Sequence, residues 1–156
     1  MKSKIARPLS KDVKLLADCL WSELVKARAF YRSEFSGKDD QPLNSHHILG
    51  KRTLALRYCL DNGVCLTAGE HKFVAHSASG AARWSEWMHE HMKFRRIIEE
   101  SDLTVLDHVA HLADLYRESL KLSASFPVRH IHVWPAFRRY GKTWKRISDY
   151  YELGVL

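Results

Sequence analysis

Ten residues, Asp61 to Glu70 (Asp-Asn-Gly-Val-Cys-Leu-Thr-Ala-Gly-Glu), constrain the fold of this chain more than any other stretch. Asn62-Gly63 is a turn signal, because both residue types tolerate positive φ. Gly63-Val64-Cys65-Leu66 is short, apolar and β-branched, the look of a brief strand. Thr67 with Glu70 three residues on has the form of a capping box, so a helix is expected to open at about Ala68. Turn, strand and helix start follow one another with no residues between them. A strand placed like this needs a hairpin partner upstream.

The expected partner is Leu43-Asn44-Ser45-His46-His47-Ile48, whose His47 lies fifteen residues before Asn62. Neighbouring residues on a strand face opposite sides, so His46 and His47 can take different tasks. Nine residues beyond Asn62 stands His71, and five beyond that His76, both on the expected helix. Cutting a phosphodiester requires an activated water and neutralised charge on the leaving oxygen. One divalent ion can do the second job, and an imidazole near its own pKa the first. A ligating imidazole has spent its lone pair, so ligand and base must be different residues. Ten histidines in the chain make a His-His pair weak on its own; a purely structural metal site is the competing reading. That reading leaves the second histidine beside the first without a task.

The pattern resembles the HNH (ββα-metal) endonucleases, with spacing close to the colicin-type DNases, over roughly residues 30–78. The resemblance implies that His46, His71 and His76 hold one divalent ion. It implies that His47 is the general base, and that Asn62 pins the hairpin loop and orients His47. One departure stands out. The colicin-type enzymes space the two helical histidines by four, which puts both on one face. The five residues here place them about 140° apart on an α-helix, which makes His71 the firmer ligand and His76 the weaker one. The implied activity is hydrolysis of DNA, leaving 5′-phosphate and 3′-hydroxyl ends. The alternatives are a non-cleaving DNA-binding or scaffold protein that keeps the motif, and an RNA-directed nuclease using the same site. Three imidazoles favour Zn²⁺, Ni²⁺ or Mn²⁺ by ligand type, although family members also work with Mg²⁺. Small chains of this kind are common in phages and mobile elements.

Many HNH proteins also carry a zinc ribbon, and the matching positions here are Ser33, Ser36, Thr67 and Glu70. No cysteine stands at any of the four, and Cys59 and Cys65 fall elsewhere. The expectation is therefore no structural zinc, with packing in its place.

Beyond the motif the reading is local. Helical stripes are expected over residues 11–30 (Val13, Leu16, Leu20, Leu24, Ala27, Tyr31), 81–100 (Trp84, Trp87, Met88, His91, Phe94, Ile98) and 103–122, the last capped by Ser101 or Asp102. His108 and His111 are expected on the polar side of the last helix. The fold class is thus α+β, mostly helical, with a small ββα-metal core (43–78) and flanking helices. Residues 1–125 would form the nuclease domain and 126–156 a basic, aromatic C-terminal segment.

A net charge of +7 suits a polyanionic partner. Candidate phosphate contacts are Lys51, Arg52 and Arg57 between the strands, and Arg138, Arg139, Lys142, Lys145 and Arg146 near the end, where basic groups interleave with aromatics. DNA is the expected partner, a homodimer is allowed, and no apolar run is long enough for a membrane span. The basic N-terminus lacks the apolar core of a secretory signal, and three cysteines with no CxxC pair fit reduced thiols. A cytoplasmic location in a bacterial host, for a phage-encoded protein, is the corresponding expectation.

Overall fold

The structure, a computed structural model, describes residues 10–124. The candidate contacts Arg138, Arg139, Lys142, Lys145 and Arg146 lie outside the described residues. The described chain is a mostly helical α+β fold with one small antiparallel sheet flanked by helices. In order it runs α1 (Ser10–Arg28), β1 (Leu43–His47), α2 (Leu54–Tyr58), β2 (Gly63–Thr67), α3 (Ala68–Glu70), α4 (Ala81–His91) and α5 (Val105–Ala124). Short 3₁₀ turns fill 60–62, 78–80 and 92–94, and a π-turn covers His71–Ala75. Among the described residues no helix is long and apolar enough to cross a membrane.

The chain divides into two compact units. Among the described residues one comprises 10–21 with 102–124, and the other Ser22–Ser101. In the first, α1 buries Val13, Leu16, Ala17, Leu20 and Trp21, while α5 buries Val109, Leu112, Ala113 and Tyr116. Both stripes step by three and four, as helices with one apolar face must. The α5 cap is Thr104, not Ser101 or Asp102. Thr104 N–H donates to Asp107 Oδ2 at 2.7 Å, and Asp107 N–H donates back to Thr104 Oγ1 at 3.2 Å. His108, expected on the polar side, is buried instead, while His111 is exposed. Position 108 lies one turn before Leu112, on the flank of the buried face.

The second unit is built around the hairpin. β1 and β2 pair antiparallel from Leu43 opposite Thr67 to His47 opposite Gly63. All five residues of β2 are buried, because it is covered on its faces and along its outer edge. Val64 and Leu66 pack with Trp87, and Phe35, Ile48, Ala75, Trp84 and Met88 close around them. Along the outer edge Glu34 does the work of a further strand. Its N–H donates to Cys65 O, and its carboxylate accepts from Cys65 N–H, both at 2.8 Å. An otherwise bare edge is thereby satisfied.

The same Glu34 carboxylate gathers two arginines. Arg28, at the end of α1, reaches it at 3.1 Å and also donates to Leu60 O and Gly63 O, each at 2.7 Å. Arg95 reaches it at 3.0 Å and donates to Gly63 O at 2.6 Å and Asp61 O at 3.0 Å. Burial lowers the Arg95 pKa, and the neighbouring Glu34 charge works against that. These bonds explain why the expected helix over 81–100 stops early. α4 ends at His91 and the chain is extended at Arg95, since in that course the Arg95 guanidinium meets three acceptors. Phe94 and Ile98, assigned to the buried stripe by periodicity, are exposed.

Candidate metal centre

His46 lies on β1 opposite Val64 and is buried. His71 opens the π-turn and is half-buried; His76 follows its last residue and is exposed. The three imidazoles converge. Each offers one ring nitrogen, and the three nitrogens lie within 4.8 Å of one another. The ring centroids are 5.2 Å (46–71), 4.7 Å (46–76) and 4.7 Å (71–76) apart, every pair edge to face. Metal–nitrogen bonds of about 2.0–2.1 Å put two ligands of a tetrahedral ion roughly 3.4 Å apart. Small side-chain rotations therefore bring all three onto one ion, and the donor set fits a borderline transition-metal cation.

The backbone explains how residues five apart can share one ion. In an α-helix the neighbours on one face are three or four apart. Residues 71–75 form a π-turn, whose wider i→i+5 repeat brings position 76 back over position 71. The expected 140° separation is thus overturned by a local change of helix type. The π-turn is held on its inner side by Val74, which is buried, and at its far end by Ser77. Ser77 Oγ donates to Phe73 O, and Gly80 N–H donates to Ser77 Oγ at 3.0 Å.

Burial holds His46 mostly in its neutral form. Desolvation, then the nearby rings of His76, His71 and His47, bring its pKa down from 6.5 to about 4. His71 is also lowered, first by burial and then by His76. Neutral imidazoles carry the lone pairs that a cation requires. The indole of Trp84 stands edge-on to His46 at 5.4 Å and stacks at 5.3 Å on Trp87, so the site has an apolar wall. Among the described residues the cluster consists of these three imidazoles, one of them exposed.

His47 is next along the strand. Its Nε2–H donates to Arg57 O at 2.9 Å. A carbonyl only accepts, so Nε2 carries the proton and Nδ1 is the basic nitrogen of the neutral ring. Asn62 is fully buried and uses its whole amide. Oδ1 accepts from Leu49 N–H at 2.8 Å, and Nδ2 donates to Gly50 O at 2.9 Å and Leu56 O at 2.8 Å. It ties Leu49 and Gly50, after β1, and Leu56, within α2, to the start of β2, and α2 presents the Arg57 carbonyl. Neither Asn62 nor Gly63 has positive φ; Gly63 sits at −105°. Asn62 is required here for its side-chain hydrogen bonds, not for its backbone freedom.

Of the candidate cations between the strands, Lys51 and Arg52 are exposed, and Arg52 pairs with Glu99 at 3.3 Å. Arg57 is half-buried, its guanidinium 5.9 Å from the Tyr58 ring centre.

The four positions matching zinc-ribbon ligands meet through hydrogen bonds. Ser33 Oγ–H donates to Glu70 Oε2 at 2.5 Å, and Thr67 N–H donates to the same oxygen at 2.9 Å. Glu70 N–H donates to Thr67 Oγ1 at 3.2 Å, which completes the expected capping box. Desolvation raises the Glu70 pKa, and the Ser33 hydroxyl and Thr67 N–H on its carboxylate help to hold it low. Packing was the expected substitute; the Ser33, Thr67 and Glu70 side chains form a polar knot instead, which Ser36 joins through its N–H on Ser33 Oγ. The capping box was legible in the sequence, but its link to Ser33, 37 positions away, was not.

In comparisons with known proteins, no family model, no curated protein and no solved structure matches this chain. The structure has a ββα-type arrangement carrying a three-histidine cluster able to coordinate one divalent metal ion.

Proposed function

We propose that the protein is a metal-dependent HNH-type endonuclease that hydrolyses DNA phosphodiester bonds to 5′-phosphate and 3′-hydroxyl ends. The observation that carries this reading is the division of labour at the end of β1. His46 faces two other imidazoles at metal-binding distance, while its neighbour His47 is held by a backbone carbonyl and is not part of the ligand set. A closed structural metal site has no use for that second, oriented imidazole.

When bound, a divalent ion would supply Lewis acidity at the phosphate and at the leaving 3′ oxygen. His46, His71 and His76 would hold it. His47 takes a proton from the attacking water at Nδ1, and the Arg57 carbonyl stabilises the resulting imidazolium through Nε2–H. Asn62 keeps the loop in the position at which Arg57 O can do so. Exposed Lys51 and Arg52 border the same loop and are the proposed phosphate contacts, with Arg57 and the basic C-terminal residues.

The experiment is plasmid nicking with added Mg²⁺, Mn²⁺, Ni²⁺ or Zn²⁺, with and without EDTA. Cleavage that EDTA stops and His47→Ala abolishes, while that variant still binds metal by calorimetry, is the expected result. Binding of DNA without cleavage under every metal would refute the enzyme reading in favour of a non-cleaving binding protein. Cleavage confined to RNA would change the substrate and leave the site assignments in place.

A further inference from the structure

The ligand pair His71 and His76 works only because the helix begins at one definite residue and widens immediately. Glu70 stands directly before His71, and its carboxylate is the meeting point of its own capping box and one distant segment. Ser33 reaches it at 2.5 Å from the loop after α1, and Thr67 N–H reaches it at 2.9 Å from the end of β2. Ser33 Oγ in turn accepts from Phe35 N–H at 3.1 Å and Ser36 N–H at 3.2 Å, so its own loop is wound around it. Ser33 is buried, and the Glu34 beside it grips β2 through Cys65. The carboxylate is therefore anchored on a rigid base rather than on solvent.

From this arrangement we propose that Glu70 is a positioning residue for the metal centre. It fixes the point and angle at which the chain leaves β2, and with them the direction in which the π-turn presents His71 and His76 to His46. The inference rests on the metal-centre reading above and adds a residue that touches neither metal nor substrate. An exposed capping box contributes only to the stability of its own helix. Here a third group, from a segment 37 positions away, is bound to the same oxygen. Residues that orient metal ligands in this way typically change affinity by about 10- to 100-fold when removed.

The test uses the full chain, stripped of metal and titrated with Co²⁺. Binding is read by calorimetry, and the ligand set by the visible absorption of the bound ion. Glu70→Ala should bind Co²⁺ about 10- to 100-fold more weakly than wild type, with an altered visible band. Glu70→Gln keeps an oxygen for Ser33 and Thr67 and should stay within a few-fold of wild type with an unchanged band. Ser33→Ala leaves the capping box intact and should lie between the two, which covers the case in which Glu70→Ala does not fold. Equal affinity and an identical band in wild type, Glu70→Ala and Ser33→Ala would overturn the proposal, as would Gln behaving like Ala. Wild type that takes up no Co²⁺ removes the metal centre itself, and this inference with it; loss confined to the Glu70 and Ser33 variants supports it.

Discussion

Gly80 lies against the back of the π-turn, and adding one methyl group there should disrupt the metal centre without touching a ligand. A Cβ at this position would sit 2.5 Å from Phe73 O, 2.5 Å from Val74 Cα and 2.6 Å from Val74 O. Ordinary contact begins at 3.4 Å, so the turn or residue 80 must move by 3.4 − 2.5 = 0.9 Å. All three obstructing atoms are backbone, so no flexible side chain can give way. Residue 80 itself has φ −91°, which alanine adopts freely, so the cost is contact alone. Overpacking of this kind costs about 1–3 kcal/mol. At roughly 2–4 °C per kcal/mol for a chain of this size, the metal-free melting temperature should fall by about 2–12 °C. Metal–ligand distances tolerate only about 0.2 Å. A displacement several times larger, in the segment joining His71 to His76, should weaken Zn²⁺ binding at least about tenfold. Gly69→Ala is the control. There a Cβ meets the end of the Gln41 side chain at 3.1 Å and Thr67 Oγ1 at 3.9 Å, so stability and metal affinity should hold. Calorimetry and thermal melts of both variants decide it: Gly80→Ala matching wild type in both would refute the account of the π-turn.

Three further outcomes are expected. Asn62→Ala strands Leu49 N–H, Gly50 O and Leu56 O; only the Leu56 bond is fully buried, so at about 1–3 kcal/mol for a buried group left unpaired it should cost at least about 1 kcal/mol in urea unfolding and abolish cleavage, and an unchanged unfolding curve would mean the loop is held by other bonds. For pH, the folded pKa of His46 is about 4, against 6.5 for the ordinary residue. The unfolded chain therefore binds more protons between those values, so the metal-free protein should hold this contribution above pH 6.5 and lose it as pH falls towards 4. His46→Asn should flatten that part of the pH–melting curve, and an unchanged slope would assign the dependence to other groups. Deleting residues 126–156, which include Arg138, Arg139, Lys142, Lys145 and Arg146, should weaken DNA binding and reduce its dependence on salt; identical salt slopes would leave that segment no part in gripping phosphate.

Much of this arrangement was legible because it is local. The strand at 63–67 and the Thr67–Glu70 box are written in consecutive residues, and the structure has both. The α1 stripe from Val13 to Leu24 follows from helical periodicity, which needs no knowledge of the partner. Pairing His46 with His71 and His76 as candidate ligands required the family pattern as well as the periodicity, and the three rings do converge. The misses have the opposite character. Periodicity carried a helix through Phe94 and Ile98, but Arg95 has better partners in Glu34, Asp61 and Gly63, 32 to 61 positions away. Positive φ at Asn62-Gly63, expected from local turn chemistry, is absent; the Asn62 amide, to which the family pattern gave the pinning of the loop, bonds three groups that come earlier in the chain.

The sequence by itself determined which residue types carry the chemistry and the order in which strand and helix follow each other, because side-chain chemistry, capping and apolar period act over a few residues. It could not determine the angle between His71 and His76. Five residues of ordinary α-helix hold those rings apart, and nothing local favours the rarer turn. That choice was made by groups that meet only in the folded chain. Ser33 on Glu70 sets the start, Val74 is drawn into the core beneath, and Gly80 is packed without a side chain against the far end. Tertiary contacts offset the poorer hydrogen-bond geometry of the wide turn, and in doing so they turn two histidines that spacing set apart into one side of a cluster able to coordinate a metal ion.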